Sequence, residues 1–171
     1  FAGQRIAARS IDAAHDIDYA IIDDMADLGL FGLTIPEEYG GAGMSLQAAC
    51  SFVAKFARYD RSVATTLGLH LGLGTRGLVA FGSDALKGEI LPMLAEGKPI
   101  ASFAATEAGA GSDLAAVSTR AVQDGDELVV DGEKIYVTNG GWAGVYTILA
   151  STPGLGGARR GFSPQGIKTT D

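Results

Sequence analysis

Two kinds of hydrophobic pattern divide the chain. Through the first hundred positions apolar residues recur at helical spacing. Ile21, Met25 and Leu28 form one stripe, and Asp23, Asp24 and Asp27 fill the opposite face. Gly29 and Gly32 end that helix, and Pro36 with Gly40-Gly41 marks a loop. Ser45 is placed to cap the next helix, whose stripe is Leu46, Ala49, Phe52, Val53 and Phe56. Ser83 should cap another, with Leu86, Ile90 and Leu94 facing inward. Pro92, which has no N–H to donate, should bend or divide it.

Beyond Pro99 the periodicity changes. Ile100 to Thr106 is a short apolar run suited to a strand, Val117 to Gln123 and Leu128 to Val130 are rich in β-branched residues, and Val145 to Leu149 reads as a further strand. Asp124-Gly125 and Asp131-Gly132 stand between such runs, and Asp-Gly is a hairpin signal. The reading is α+β: an all-helical domain over residues 1–99 and a β domain over residues 100–171.

The bulk numbers narrow the function classes. With 171 residues, 47% of them apolar and 19% charged, the chain can bury a core and is not a disordered segment. Its 25 glycines are too many for a simple helical bundle. A net charge of −7 argues against nucleic-acid partners, which require a basic face. The one cysteine, Cys50, can form no intrachain disulfide and has no CxxC partner for a metal. Its apolar helical setting predicts a buried thiol. The absence of a signal peptide or long apolar span in the sequence leads to the expectation of a cytoplasmic chain with no membrane contact.

Three motifs could carry chemistry. Gly72-Leu73-Gly74-Thr75-Arg76-Gly77 matches a dinucleotide fingerprint, but helical patterns surround it and no βαβ unit follows. Small residues that allow close packing explain it better. Phe103-Ala104-Ala105-Thr106-Glu107-Ala108-Gly109-Ala110-Gly111-Ser112-Asp113 runs from a strand into a glycine-rich turn. Its amides and hydroxyls could meet a phosphate or a polar ring edge, although an ordinary loop fits equally well. In Asp131-Gly132-Glu133-Lys134-Ile135-Tyr136-Val137-Thr138-Asn139-Gly140-Gly141, a strand would set Tyr136 and Thr138 on one face. That pair suits a flat heterocycle or a cross-strand aromatic contact. His70, alone on an apolar helix, is expected to be a core residue, and Glu107 a carboxylate that organises its loop.

Together these two later segments resemble the acyl-CoA dehydrogenase family, with its Thr-Glu-x-Gly-Ala-Gly-Ser-Asp strand end followed by Gly-x-Lys-x-aromatic-x-Thr-Asn-Gly. Leu30 to Gly41, Phe81-Gly82-Ser83 and Leu91-Pro92-x-Leu94-Ala95-x-Gly97 are similar to the family's N-terminal helical domain. The resemblance implies an N-terminal helical domain followed by part of a β-barrel, with FAD bound between the barrel and a C-terminal four-helix domain. It implies that Phe103, Ala105, Thr106, Gly111, Ser112, Tyr136, Val137 and Thr138 contact FAD, with Ser112 also near the acyl-CoA. The implied reaction takes two hydrogens from an acyl-CoA thioester in fatty-acid β-oxidation: a glutamate removes the α-proton and the β-hydride goes to the flavin. The implied partners are an electron-transferring flavoprotein and further copies in a homotetramer.

The sequence departs from the family pattern in places. Ala108 stands where Pro is usual, and Tyr136 where Trp is more common. In the tail, 160–165 and 166–171 resemble barrel pieces joined directly, and the helix over 10–18 looks compressed. The catalytic glutamate is expected outside this chain, as is the C-terminal domain. Ordered pieces of a longer chain explain these joints better than a truncation. Alternatives on the same fold are an acyl-CoA oxidase, a nitroalkane oxidase, a flavin monooxygenase or a non-catalytic acyl-CoA-binding paralogue.

Overall fold

A computed structural model describes residues 1–125 and 127–153 and the backbone of 161–162. Seven α-helices come first: α1 (Ala2–Arg5), α2 (Ala8–Ala14), α3 (Tyr19–Asp27), α4 (Leu46–Phe56), α5 (Arg61–Leu69), α6 (Thr75–Phe81) and α7 (Asp84–Glu96). Short polar side chains start four of them. Asp18 accepts from the Ala20 amide at 2.9 Å, Asp60 from Val63 at 2.9 Å, and Ser45 and Ser83 from Ala48 and Leu86 at 3.3 Å each.

The helical faces differ from expectation in detail. On α3 the buried stripe is Ile21, Ile22, Met25 and Ala26. Leu28 falls just past the helix end and is exposed. On α4, Ala49 and Phe56 are buried, Phe52 and Val53 pack partly against the core, and Leu46 is exposed. Cys50, 100° around the helix from Ala49, is exposed rather than buried. Helix α7 runs unbroken through Pro92, because Leu91, Leu94 and Ala95 anchor its last turns in the core.

Two apolar clusters meet at the first strand. One gathers Met25, Phe31, Val63, Leu67, Leu71 and Ile100, and the other Ile35, Leu78, Leu91, Leu94 and Ala101. Successive side chains of an extended chain point to opposite faces, so Ile100 and Ala101 stitch the clusters together.

Strand β1 (Ala101–Ala104) pairs in parallel with β4 (Val145–Ala150), from Ala101 opposite Val145 to Ala104 opposite Ile148. Strand β5 (Gly161–Phe162) lies antiparallel on the end of β4. Strands β2 (Arg120–Asp124) and β3 (Glu127–Asp131) form the hairpin expected at Asp124-Gly125, with Gly125 at φ 62°. Asp131-Gly132 makes no hairpin. Gly132 instead passes so close to Thr119 that a Cβ would lie 2.5 Å from the Thr119 hydroxyl. The architecture is thus a helical N-terminal part followed by an incomplete sheet part. The tail pieces over 160–165 and 166–171 lie outside the described residues, except the backbone of 161–162.

The glycine fingerprint begins in a π-helical turn, His70–Gly74, and continues into α6. No strand precedes it. Gly74 serves close packing, since a Cβ there would lie 2.9 Å from the Ala101 Cβ. The carbonyls of this widened turn are met by side chains: Thr34 donates to the Leu71 oxygen at 2.8 Å and Thr147 to the Gly74 oxygen at 3.0 Å.

Candidate functional site

The two motif segments lie side by side. Asn139 donates its side-chain amide to the Ala101 carbonyl at 3.2 Å, and the Ser102 hydroxyl donates to the Thr138 carbonyl at 2.5 Å. Lys134 Nζ donates to the Ala105 carbonyl at 3.0 Å, and the Ile135 amide to the Thr106 carbonyl at 2.9 Å. From 101 and 102 to 105 and 106 the partners move from 139 and 138 back to 134 and 135, so the two stretches run antiparallel overall. Three of these four bonds use a side chain, and the second segment is irregular rather than a strand. Tyr136 adopts φ 55° in a bend, and Thr138 begins a turn. The expected shared strand face of Tyr136 and Thr138 therefore does not exist. Tyr136 projects into solvent at 89% exposure, while Val137 and Thr138 are half-buried.

Of the other expected site residues, Phe103, Ala105 and Thr106 are half-buried, and Gly111 and Ser112 are exposed. A Cβ at Gly109 or Gly111 would meet nothing within 4 Å, and neither glycine takes a left-handed φ. Contacts within the described chain therefore do not require glycine at either place. Gly109, Gly111 and Ser112 leave the outer edge of the loop open to solvent.

Below that loop Glu107 is buried, and both carboxylate oxygens are saturated. Oε2 accepts from the Ser118 amide at 2.7 Å and its hydroxyl at 2.6 Å. Oε1 accepts from the Thr119 amide at 2.9 Å, its hydroxyl at 2.5 Å and Lys134 Nζ at 2.8 Å. Burial alone would raise the carboxyl pKa. The Lys134 ammonium, the two hydroxyls and the Ser118 amide outweigh it and hold the group well below the usual carboxylate range. A carboxylate so held is ionised and has no free lone pair facing solvent, so it is a scaffold and not a proton acceptor.

A cleft of about 570 Å³ borders the C-terminal end of the 134–139 segment. Val137, Thr138 and Asn139 form one wall, and Arg61, Ser62, Thr65 and Thr66 of α5 the facing one, with Trp142 at the edge. Two of the eight expected cofactor residues line it. Asn139, which sequence reasoning did not single out, ties this wall to the facing helix. At φ 65° its amide donates to the Thr66 carbonyl at 3.1 Å as well as to Ala101. The signal was an Asn preceding Gly140-Gly141, a residue type that tolerates left-handed backbone. Trp142 rests against Tyr19 with ring centroids 5.4 Å apart, tying this turn to α3.

His70 is fully buried beneath the same wall, as a core residue. Its Nδ1 accepts from the Ala101 amide at 2.9 Å, which leaves Nε2 to donate to the Phe31 carbonyl at 3.1 Å. Burial lowers its pKa to about 4 against the raising effect of the Phe31 and Leu94 backbone, so the ring is neutral at pH 7. Among the described residues no group of three His, Cys, Asp or Glu side chains could hold a metal ion, and no buried side-chain polar atom lacks a partner. Among the described residues no helix is long and apolar enough to cross a membrane.

A helical part here delivers a strand into an open glycine-rich loop, beside an irregular segment bearing an exposed aromatic ring. Comparison with known proteins specifies the family. The family model described as the acyl-CoA dehydrogenase N-terminal domain matches residues 1–98, and that of the acyl-CoA dehydrogenase middle domain matches residues 102–169. This chain belongs to the acyl-CoA dehydrogenase family. The human mitochondrial very long-chain specific acyl-CoA dehydrogenase is 36% identical over 144 residues, which is 83% of this chain and 22% of that protein. A Bacillus anthracis acyl-CoA dehydrogenase solved in complex with FAD is 36% identical with a TM-score of 0.72, over 78% of this chain and 23% of that one. The butyryl-CoA dehydrogenase of Megasphaera elsdenii is 32% identical with a TM-score of 0.81, over 88% of this chain and 41% of that one. The chain thus spans less than half the length of each.

Proposed function

We propose that this chain is the helical and flavin-facing part of an FAD-dependent oxidoreductase that introduces an α,β double bond into an acyl-CoA thioester. The observation that carries the reading is the antiparallel seating of 101–106 against 134–139, which presents an open glycine loop and the Tyr136 ring on adjoining segments. The residues present fit FAD. The exposed amides and Ser112 hydroxyl of the loop suit the polar edge of the ring system and its phosphates, and Tyr136 offers an uncovered aromatic face. When bound, FAD supplies the acceptor for the hydride that leaves the acyl β-carbon.

The chain's own residues then divide the work. Phe103, Ala105 and Thr106 back the ring, while Gly111 allows close approach. Val137 and Thr138 would offer a backbone and a hydroxyl to FAD, and Ser112 would also reach the acyl-CoA. Glu107 and His70 take no proton in the reaction, since the first is saturated with donors and the second is committed to two backbone bonds. The base for the α-proton is a glutamate proposed to lie outside this chain. An electron-transferring flavoprotein is the proposed electron acceptor, and a homotetramer the proposed assembly.

The test is the visible spectrum of the purified full-length protein before and after anaerobic addition of a panel of acyl-CoAs. Bleaching of a flavin band by one acyl-CoA supports the reading. A flavin that no acyl-CoA bleaches, or a protein without flavin, contradicts it. Rapid reoxidation by air after bleaching would point to an oxidase instead.

A further inference from the structure

Resting on that reading, we infer that Glu107 is the positioning residue of the cofactor site: one buried carboxylate sets the glycine-rich loop, the entry to β2 and the Tyr136–Thr138 segment relative to one another.

The carboxylate stands where three segments cross. Its own backbone closes the loop, with the Glu107 amide donating to the Ala110 carbonyl at 2.8 Å and the Ala110 amide returning to the Glu107 carbonyl at 3.2 Å. Ala110 is buried at that closure, whereas Ala108, Gly109, Gly111, Ser112 and Asp113 are exposed. The loop is therefore fixed at its base and free at its outer edge. From the second segment come the Ser118 and Thr119 donors, two amides and two hydroxyls. From the third comes Lys134, whose ammonium bridges Glu107 Oε1 and the Ala105 carbonyl. Lys134 precedes Tyr136 by two residues, so the bridge sets where that ring and the Thr138 turn begin. No other side chain among those with described hydrogen bonds joins these three segments.

A neutral amide of the same shape cannot replace the carboxylate. In one orientation the NH₂ of a glutamine would face the Thr119 amide and the Lys134 ammonium, both obligate donors. In the other it would face the Ser118 amide. Either way a donor meets a donor, and Lys134 loses its counter-charge.

The experiment measures FAD dissociation constants of the full-length protein by quenching of flavin fluorescence, alongside the thermal midpoint of each apoprotein. E107Q and K134M are each expected to raise the dissociation constant at least about ten-fold, as lost charge-assisted hydrogen bonds do. The double variant should lie near the worse single one, because both changes break one network. Ser118 is exposed, so S118A removes one donor with little effect on folding. A rise of about three-fold is expected for it. A purely structural role would lower the apoprotein midpoint and leave the dissociation constant unmoved. Binding by folded E107Q within about two-fold of wild type, near the resolution of such measurements, overturns the inference. If E107Q does not fold, unchanged binding by S118A and K134M overturns it equally. A wild-type protein that does not bind FAD refutes the proposed function rather than this assignment.

Discussion

Residues on the two sides of β1 and its loop are held in opposite ways. Behind the strand, His70, Ser102, Asn139, Glu107 and Lys134 are each hydrogen-bonded to named partners, most of them backbone groups far away in sequence. In front, Gly109, Gly111, Ser112 and Tyr136 are exposed and touch little. The rear side bears the stability, because buried polar groups are costly to leave unpaired. The front side is left to a ligand. Substitutions behind the strand should therefore move unfolding, and at Glu107 and Lys134 cofactor affinity as well, whereas substitutions in front should move cofactor affinity alone.

The sharpest way to break this contrast is at the buried ion pair. Replacing Lys134 with Met strands the Glu107 charge, and urea unfolding should show a loss of about 3–5 kcal/mol. Next comes pH. His70 titrates at about 4 when folded and near 6.5 when unfolded, so the unfolded chain binds the extra proton between those values. Stability attributable to this group is complete above pH 6.5 and is lost as the pH falls toward 4, by roughly 3 kcal/mol in all. Urea midpoints at pH 7.5 and 4.5 should show the drop, and H70Q should flatten it. Two glycines then sharpen the comparison. G74A drives a Cβ against Ala101 and should cost about 1–3 kcal/mol. G111A meets nothing and should change stability by less than about 0.5 kcal/mol while weakening FAD binding. The smallest effect on unfolding is expected for Y136A, whose ring is almost wholly exposed. Its consequence should appear in FAD affinity and the flavin spectrum.

Features governed by neighbours in sequence were legible before the fold was known. Ser45 and Ser83 start helices because an N-cap needs only the three residues that follow it. Asp124-Gly125 turns a hairpin because the turn chemistry is local. Both motif segments stood out, and the fold brings them together. What was not legible depends on distant partners. The 134–139 segment looked like a strand, yet its neighbours reach it through the side chains of Ser102, Lys134 and Asn139, so a regular ladder never forms. The π-helical turn was invisible because its freed carbonyls are answered by Thr34 and Thr147, residues 37 and 73 positions away. Pro92 stays inside α7 because packing outweighs one missing hydrogen bond, and Cys50 is exposed because one position of rotation takes it off the apolar stripe.

The central claim is that the open loop and the Tyr136 segment form the flavin-binding face. It is tested most directly by hydrogen–deuterium exchange of the full-length protein with and without FAD. The account predicts new protection at residues 108–113 and 136–138 and little change behind β1, where amides such as that of Ala101 are already bonded. Protection that appears elsewhere while those two segments exchange as before would contradict it.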